Sequence, residues 1–181
     1  MSARILILPG LYDSGPQHWQ SRWQARFPQM SRVEQADWQT PVCNDWVERL
    51  EQVVALDAEQ VVLVAHSLAC VLVARWAERY PRRIRGALLV APSDTEGPNF
   101  PTGTSGFQPM PGNHLPFPSI VVVSSEDPYA ELSRSERFAA DWGAELVNIG
   151  PRGHINGESG LGDWPEGLAL LARLCGEPLP G

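Results

Sequence analysis

Short apolar runs alternate with stretches of helical period from one end of the chain to the other. Ile5–Leu8, the run from Val61 to Ala65, Ile84–Ala91 and Ser119–Ser124 are rich in Val, Ile and Leu, the pattern of strands buried on both faces. Ser31–Ala36 and Ala144–Ile149 predict two further strands. Between them, Trp19, Trp23 and Phe27 share a helical face that Pro28 closes. Thr40-Pro41 predicts an N-cap and first turn for a helix with Val42, Trp46, Leu50 and Val53 inward. Leu68, Val71, Leu72 and Trp76 mark a third helix, Glu131–Trp142 a fourth and Trp164–Leu174 a fifth. This alternation predicts an α/β fold of three layers: a six-stranded parallel sheet, strand order 2-1-3-4-5-6, with helices on both faces. The 181 residues suffice for a single domain, 1–181, and leave no room for a large cap. One interval breaks the rhythm: residues 92–118 are rich in proline and glycine, and are expected to form a loop over the active-site edge of the sheet.

Composition narrows the class of partner. A net charge of −7 without a run of Lys or Arg argues against nucleic acid and anionic membrane. The longest apolar stretch, 61–77, carries His66, Ser67 and Arg75 and is shorter than the roughly 20 residues of a membrane span. Cys43, Cys70 and Cys175 are too scattered for a metal site and odd in number, so buried thiols in a reducing compartment are expected. The segment Met1 to Gly10 lacks the features of a secretory signal. The expectation is a cytoplasmic protein without metal or organic cofactor.

Ser67 carries the chemical signal. It sits between the run ending at Ala65-His66 and the helix that begins with Leu68, so a serine occupies a strand-to-helix corner. Such a corner is the nucleophile elbow of α/β-hydrolases, commonly G-x-S-x-G and here Ala65-His66-Ser67-Leu68-Ala69. A helix-capping serine would give the same local pattern. Asp127, after the strand ending at Ser124, and His154, after the strand ending at Ile149, break the tie. Serine, acid and histidine follow in the α/β-hydrolase order, each past the carboxyl end of a strand. Ser67 is therefore expected as nucleophile, His154 as base and Asp127 as its orienting acid, with Asp94 the second candidate for the acid. The oxyanion hole is expected from the backbone N–H groups of Leu68 and Leu11. His66 is expected to pack or hydrogen-bond beside the nucleophile. Trp19 and Trp38 are candidates for lining an acyl pocket, against the commoner reading of core packing.

The sequence resembles the small serine hydrolases typified by retinoblastoma-binding protein 9. The residues that carry the resemblance are Pro9-Gly10 with His18-Trp19 and Trp23, Asp37-Trp38 and Pro41 with Asp45-Trp46, Val64 to Leu68, Ser125 to Tyr129, and Gly153 to Asn156. It implies a minimal α/β-hydrolase acting on a small-molecule ester, thioester or amide, with Ser67, Asp127 and His154 as triad. A non-catalytic binding module on the same fold, or an acyltransferase, are the alternatives, and a protein partner stays open.

Overall fold

The computed structural model describes residues 2–179. Its strands are β1 (Arg4–Leu8), β2 (Met30–Arg32), β3 (Val61–His66), β4 (Gly86–Val90), β5 (Ser119–Val123) and β6 (Glu145–Asn148). The helices are α1 (Trp19–Arg26), α2 (Cys43–Val54), α3 (Leu68–Arg79), α4 (Leu132–Trp142) and α5 (Pro165–Cys175). The strands form one sheet in the order β2-β1-β3-β4-β5-β6, with every pairing parallel. This is the architecture expected from the sequence.

Alternation along the strands builds two cores. Leu6, Leu8, Leu63, Ala65, Ala87, Leu89, Val121 and Val123 face α2, α3 and α4. Ile5, Ile7, Val62, Val64, Leu88, Val90, Ile120 and Val122 face α1 and α5. Both faces of the central strands are dry, which is why they read as unbroken apolar runs. Among the described residues no helix is long and apolar enough to cross a membrane.

The element ends differ from the expectation for local reasons. β2 stops at Arg32 rather than continuing to Ala36, and the Arg32 guanidinium turns back onto Asp13, Ser21 and Gln24. Thr40-Pro41 does not cap α2. The Asp37 carboxylate holds the Thr40 hydroxyl (2.6 Å) and backbone N–H (2.9 Å), and Pro41 and Cys43 exchange backbone bonds with Ser105. The helix accordingly begins at Cys43, with Val42 as its cap residue.

Five buried tryptophans each spend their indole N–H on an acceptor outside the immediate helix turn. Trp19 donates to Ile155 O, Trp23 to Asp163 O, Trp46 to Asp37 O, Trp76 to the Glu51 carboxylate and Trp142 to Pro111 O. A large apolar ring anchored in the core thus fixes a loop or a partner helix through its one polar atom. Residues 92–118 are tied down in the same way. Phe107 and Leu115 are buried against the α2, α3 and α4 side, and Leu115 N–H donates to Trp142 O. Most of this segment is a strap along that layer, and its Ser93, Phe100 and Pro101 reach the cavity beside Ser67.

A buried amide joins the first layer to the sheet. Gln20 is fully buried; its Nε2 donates to Leu8 O and Val64 O, both at 3.0 Å, and its Oε1 accepts from the Ser14 hydroxyl at 2.7 Å. Gln20→Leu keeps the volume and strands those partners. A loss of about 1–3 kcal/mol in urea unfolding, with an unchanged m value, is expected.

Candidate active site

Ser67 ends β3 and starts α3 with φ 57° and ψ −122°, a backbone region that a serine enters only under constraint. The constraint comes from β1. A Cβ at Gly10 would lie 2.9 Å from His66 O, 3.0 Å from Ser67 Cβ and 3.3 Å from Leu68 N. Only glycine lets the loop after β1 approach the corner so closely. As the cap residue of α3, Ser67 makes no side-chain bond to its own helix. The capping alternative is thereby removed, and the hydroxyl is directed elsewhere.

Ser67 Oγ lies 2.8 Å from His154 Nε2, and His154 Nδ1 lies 2.9 and 3.0 Å from the two Asp127 oxygens. A carboxylate only accepts, so Nδ1 carries the proton toward Asp127 and Nε2 is free to accept from Ser67. The Asp127 side chain is 3% exposed and that of His154 9%. Asp127 also accepts from Tyr129 N–H at 2.9 Å, so it closes its own turn while facing the ring. The three residues expected from the sequence therefore meet in one hydrogen-bonded line.

Asp94, the second acid candidate, is engaged elsewhere. Its carboxylate takes two bonds from Arg134, at 2.8 and 3.0 Å, and one from Glu96 N–H. Burial opposes its ionisation, but the bonds from Arg134 and Glu96 outweigh that and hold the carboxyl below its usual value. It joins the loop after β4 to α4.

A cavity of about 180 Å³ opens on Ser67. Leu11 and Leu68 line it, as do Tyr12, Phe100, Pro101 and Tyr129. Neither tryptophan proposed for an acyl pocket is among the lining residues. Trp19 is core, packed on Trp23 and Trp164, because its indole is drawn inward to Ile155 O. Trp38 leans on Trp46, and its carbonyl accepts from Tyr12 N–H at 2.9 Å. The aromatic side chains at the cavity are instead Tyr12, Phe100 and Tyr129.

Ser93 is one of two residues at the cavity that the sequence reading missed. Its Oγ lies 2.8 Å from Ser67 Oγ. The signal was present: Ser93 directly precedes the Asp94 singled out after the fourth strand. His18 was missed as well; it lines the cavity, with Nε2 3.3 Å from His66 Nδ1. Backbone strain gathers here too. Tyr12, Asp13, Ser67, Ala91 and Ile155 all have positive φ without being glycine.

The sequence profile of the serine hydrolase family matches residues 5–173. The chain belongs to that family. Among solved structures, this hydrolase is similar to a protein of Pectobacterium atrosepticum described as a YdeN-like hydrolase, with 30% identity over 99% of this chain and 94% of that one and a TM-score of 0.84. The ydeN gene product of B. subtilis (20% identity, 97% and 100% coverage, TM-score 0.83) and a monoacylglycerol lipase of Paleococcus ferrophilus (12%, 97% and 96%, 0.69) share the fold. No curated protein matches the sequence.

The two histidines beside Ser67 give this serine hydrolase a pH signature. Burial, with the nearby His154 and Arg32, pulls His18 down to about 3. Burial, with His18 and His154, drives His66 well below its ordinary value, against the pull of the His154 carbonyl. Both rings are neutral in the fold, whereas the unfolded chain protonates them below about pH 6.5. Their stability is whole above that pH and is lost as the pH falls from it toward about 3, because the unfolded state takes up the protons. The loss should approach ~1.4 kcal/mol per pH unit for each ring. Urea unfolding between roughly pH 7 and pH 5 should show this slope, and it should flatten when both residues are replaced by Gln.

Proposed function

We propose that the chain is a serine esterase of the retinoblastoma-binding protein 9 type, cleaving small carboxylic esters through an acyl-enzyme on Ser67. The observation that carries this reading is the line from Ser67 Oγ through His154 to Asp127, with each contact between 2.8 and 3.0 Å. His154 Nε2 takes the hydroxyl proton as Oγ attacks the acyl carbon, and Asp127 stabilises the imidazolium that forms. The N–H groups of Leu11 and Leu68 are the proposed donors to the developing oxyanion, and both residues border the cavity with Ser67. Gly10 serves this arrangement, because its missing Cβ is what leaves the space next to Leu68 N free. His154 then protonates the departing alcohol, and water repeats the sequence on the acyl-enzyme.

Two spaces meet at His154. The cavity of about 180 Å³ and a groove of about 450 Å³ beside Arg152 and Glu158 share Tyr129, His154 and Asn156. The acyl group belongs in the smaller space, which falls below the 300 Å³ or so of an ordinary ligand pocket. The leaving alcohol belongs on the side of the groove, where the imidazole can reach its oxygen. Thioesters and amides fit the same line of groups, and a small molecule is the proposed partner.

Ser67→Ala should abolish hydrolysis of p-nitrophenyl acetate, by on the order of 10³-fold or more, and block labelling by a fluorophosphonate, with the circular dichroism spectrum unchanged. Asp127→Asn should cost roughly 10⁴-fold by leaving the ring in the wrong tautomer. Asp94→Asn should keep the rate within about threefold and lower only the unfolding midpoint. An active Ser67→Ala protein, or a rate loss in Asp94→Asn like that expected for Asp127→Asn, would overturn the assignment. In a series of p-nitrophenyl esters, kcat/KM should be highest for acetyl to butyryl and fall steeply for decanoyl. A maximum at long chains would contradict placing the acyl group in the smaller cavity.

A further inference from the structure

Three histidines form a chain that begins at a helix cap and ends on the proposed general base. His18 is the cap residue of α1, where its Nδ1 accepts from Gln20 N–H at 3.1 Å. Its Nε2 lies 3.3 Å from His66 Nδ1, and His66 Nε2 lies 2.9 Å from the carbonyl oxygen of His154. A backbone N–H can only donate and a carbonyl can only accept, so the two ends fix every proton between them. His18 has a bare Nδ1 and carries its proton on Nε2. His66 must carry its proton on Nε2 to reach the carbonyl, and its bare Nδ1 accepts from His18. Charging either ring would set one N–H against another. Both rings are buried, at 6% and 5% exposure, with His154, Arg32 and Asp13 the other ionisable groups close to them.

His154 needs such support. β6 ends at Asn148, and the chain then passes Gly150 and Gly153, both at positive φ, before the short turn at Gly157–Ser159. No sheet ladder holds residue 154. Ser124 and Ser159 hold the neighbouring Arg152, and the start of α1 adds a hold at two successive carbonyls: His18, through His66, holds His154 O, and the adjacent Trp19 holds Ile155 O at 2.8 Å.

We propose that His18 and His66 are positioning residues, a neutral, tautomer-locked pair through which the N-terminus of α1 sets the backbone of His154 and so the height of its ring above Ser67. This rests on the esterase reading above. The pair exchanges no proton with substrate. It acts by holding one carbonyl, and with it the alignment of His154 Nε2 to Ser67 Oγ.

His66→Leu removes both bonds. His66→Gln restores an N–H that can reach the His154 carbonyl and an oxygen that can accept from His18. His18→Asn keeps a good helix cap but is too short to reach His66, so it breaks the chain without disturbing α1. With p-nitrophenyl acetate, His66→Leu should lower kcat by about 10- to 100-fold, the scale of a small misplacement of a catalytic group, with KM within about twofold. His18→Asn should fall between this and wild type, and His66→Gln should return to within about threefold of wild type. In the wild-type protein, nitrogen NMR should show His18 and His66 both protonated at Nε2 and bare at Nδ1 at neutral pH. A folded His66→Leu or His18→Asn protein with wild-type kcat, or an Nδ1–H tautomer on either ring, would overturn the proposal. If Ser67→Ala showed instead that the serine is not the nucleophile, the esterase reading would fall separately. The clamp would then be read from the His154 Nδ1–H proton, whose exchange with water should quicken in His66→Leu and His18→Asn and slow again in His66→Gln. Unchanged exchange in all three would reject it.

Discussion

The molecule is organised around one strained residue, the left-handed Ser67 at the carboxyl end of β3. A non-glycine residue in such a conformation costs of order 1–3 kcal/mol and persists only when its surroundings over-determine it. Here they do. β3 lies between β1 and β4 and is buried along its whole length, and α3 is buried over most of its surface. Ser67 N–H donates to Val90 O at 2.9 Å and its carbonyl accepts from Cys70 N–H at 3.0 Å. Gly10 packs its bare Cα against the same corner. The strain is thus held by the best-packed part of the fold, and it presents a hydroxyl away from its own helix.

The surroundings of that hydroxyl are polar and largely neutral. Ser93, His18 and His66 supply hydrogen bonds without ionised groups, while most ion pairs stand farther out: Asp94 with Arg134, Glu51 with Arg82, Glu145 with Arg173. In a buried site an unpaired charge is expensive and a neutral network is cheap when every member is satisfied. Asp127 is the charged member of the line, and it spends its oxygens on His154 and on Tyr129 N–H. Such an environment favours a reaction in which charge appears only briefly, as in the proposed acyl transfer.

The tryptophans show how a chain of this size keeps long loops in place. Trp19, Trp23, Trp46, Trp76 and Trp142 are each anchored by apolar packing, and the N–H of each fixes a carbonyl or carboxylate on another segment. Trp142 and Phe107 hold the strap of residues 92–118 against the α2, α3 and α4 layer, so that Phe100 and Pro101 stand at the cavity mouth. A segment rich in proline and glycine is thereby positioned without secondary structure of its own.

The sequence by itself determined the strands and their order, and it singled out three residues of the candidate site that the structure brings into one hydrogen-bonded line. These follow from signals that are local and periodic: unbroken apolar runs for strands covered on both sides, and chemistry-bearing residues just past their ends. Element boundaries were less legible, because Asp37 and Ser105, neither in α2, decide where that helix begins. Trp19 and Trp38 could not be assigned from the sequence. Whether an indole faces a cavity or the core depends on where its N–H finds an acceptor, and Ile155 lies 136 residues from Trp19. Ser93, His18 and the tautomers of the histidine pair were likewise decided only by tertiary structure. Their roles come from side chains brought within 3.3 Å by four different segments, a proximity that no periodicity along the chain encodes.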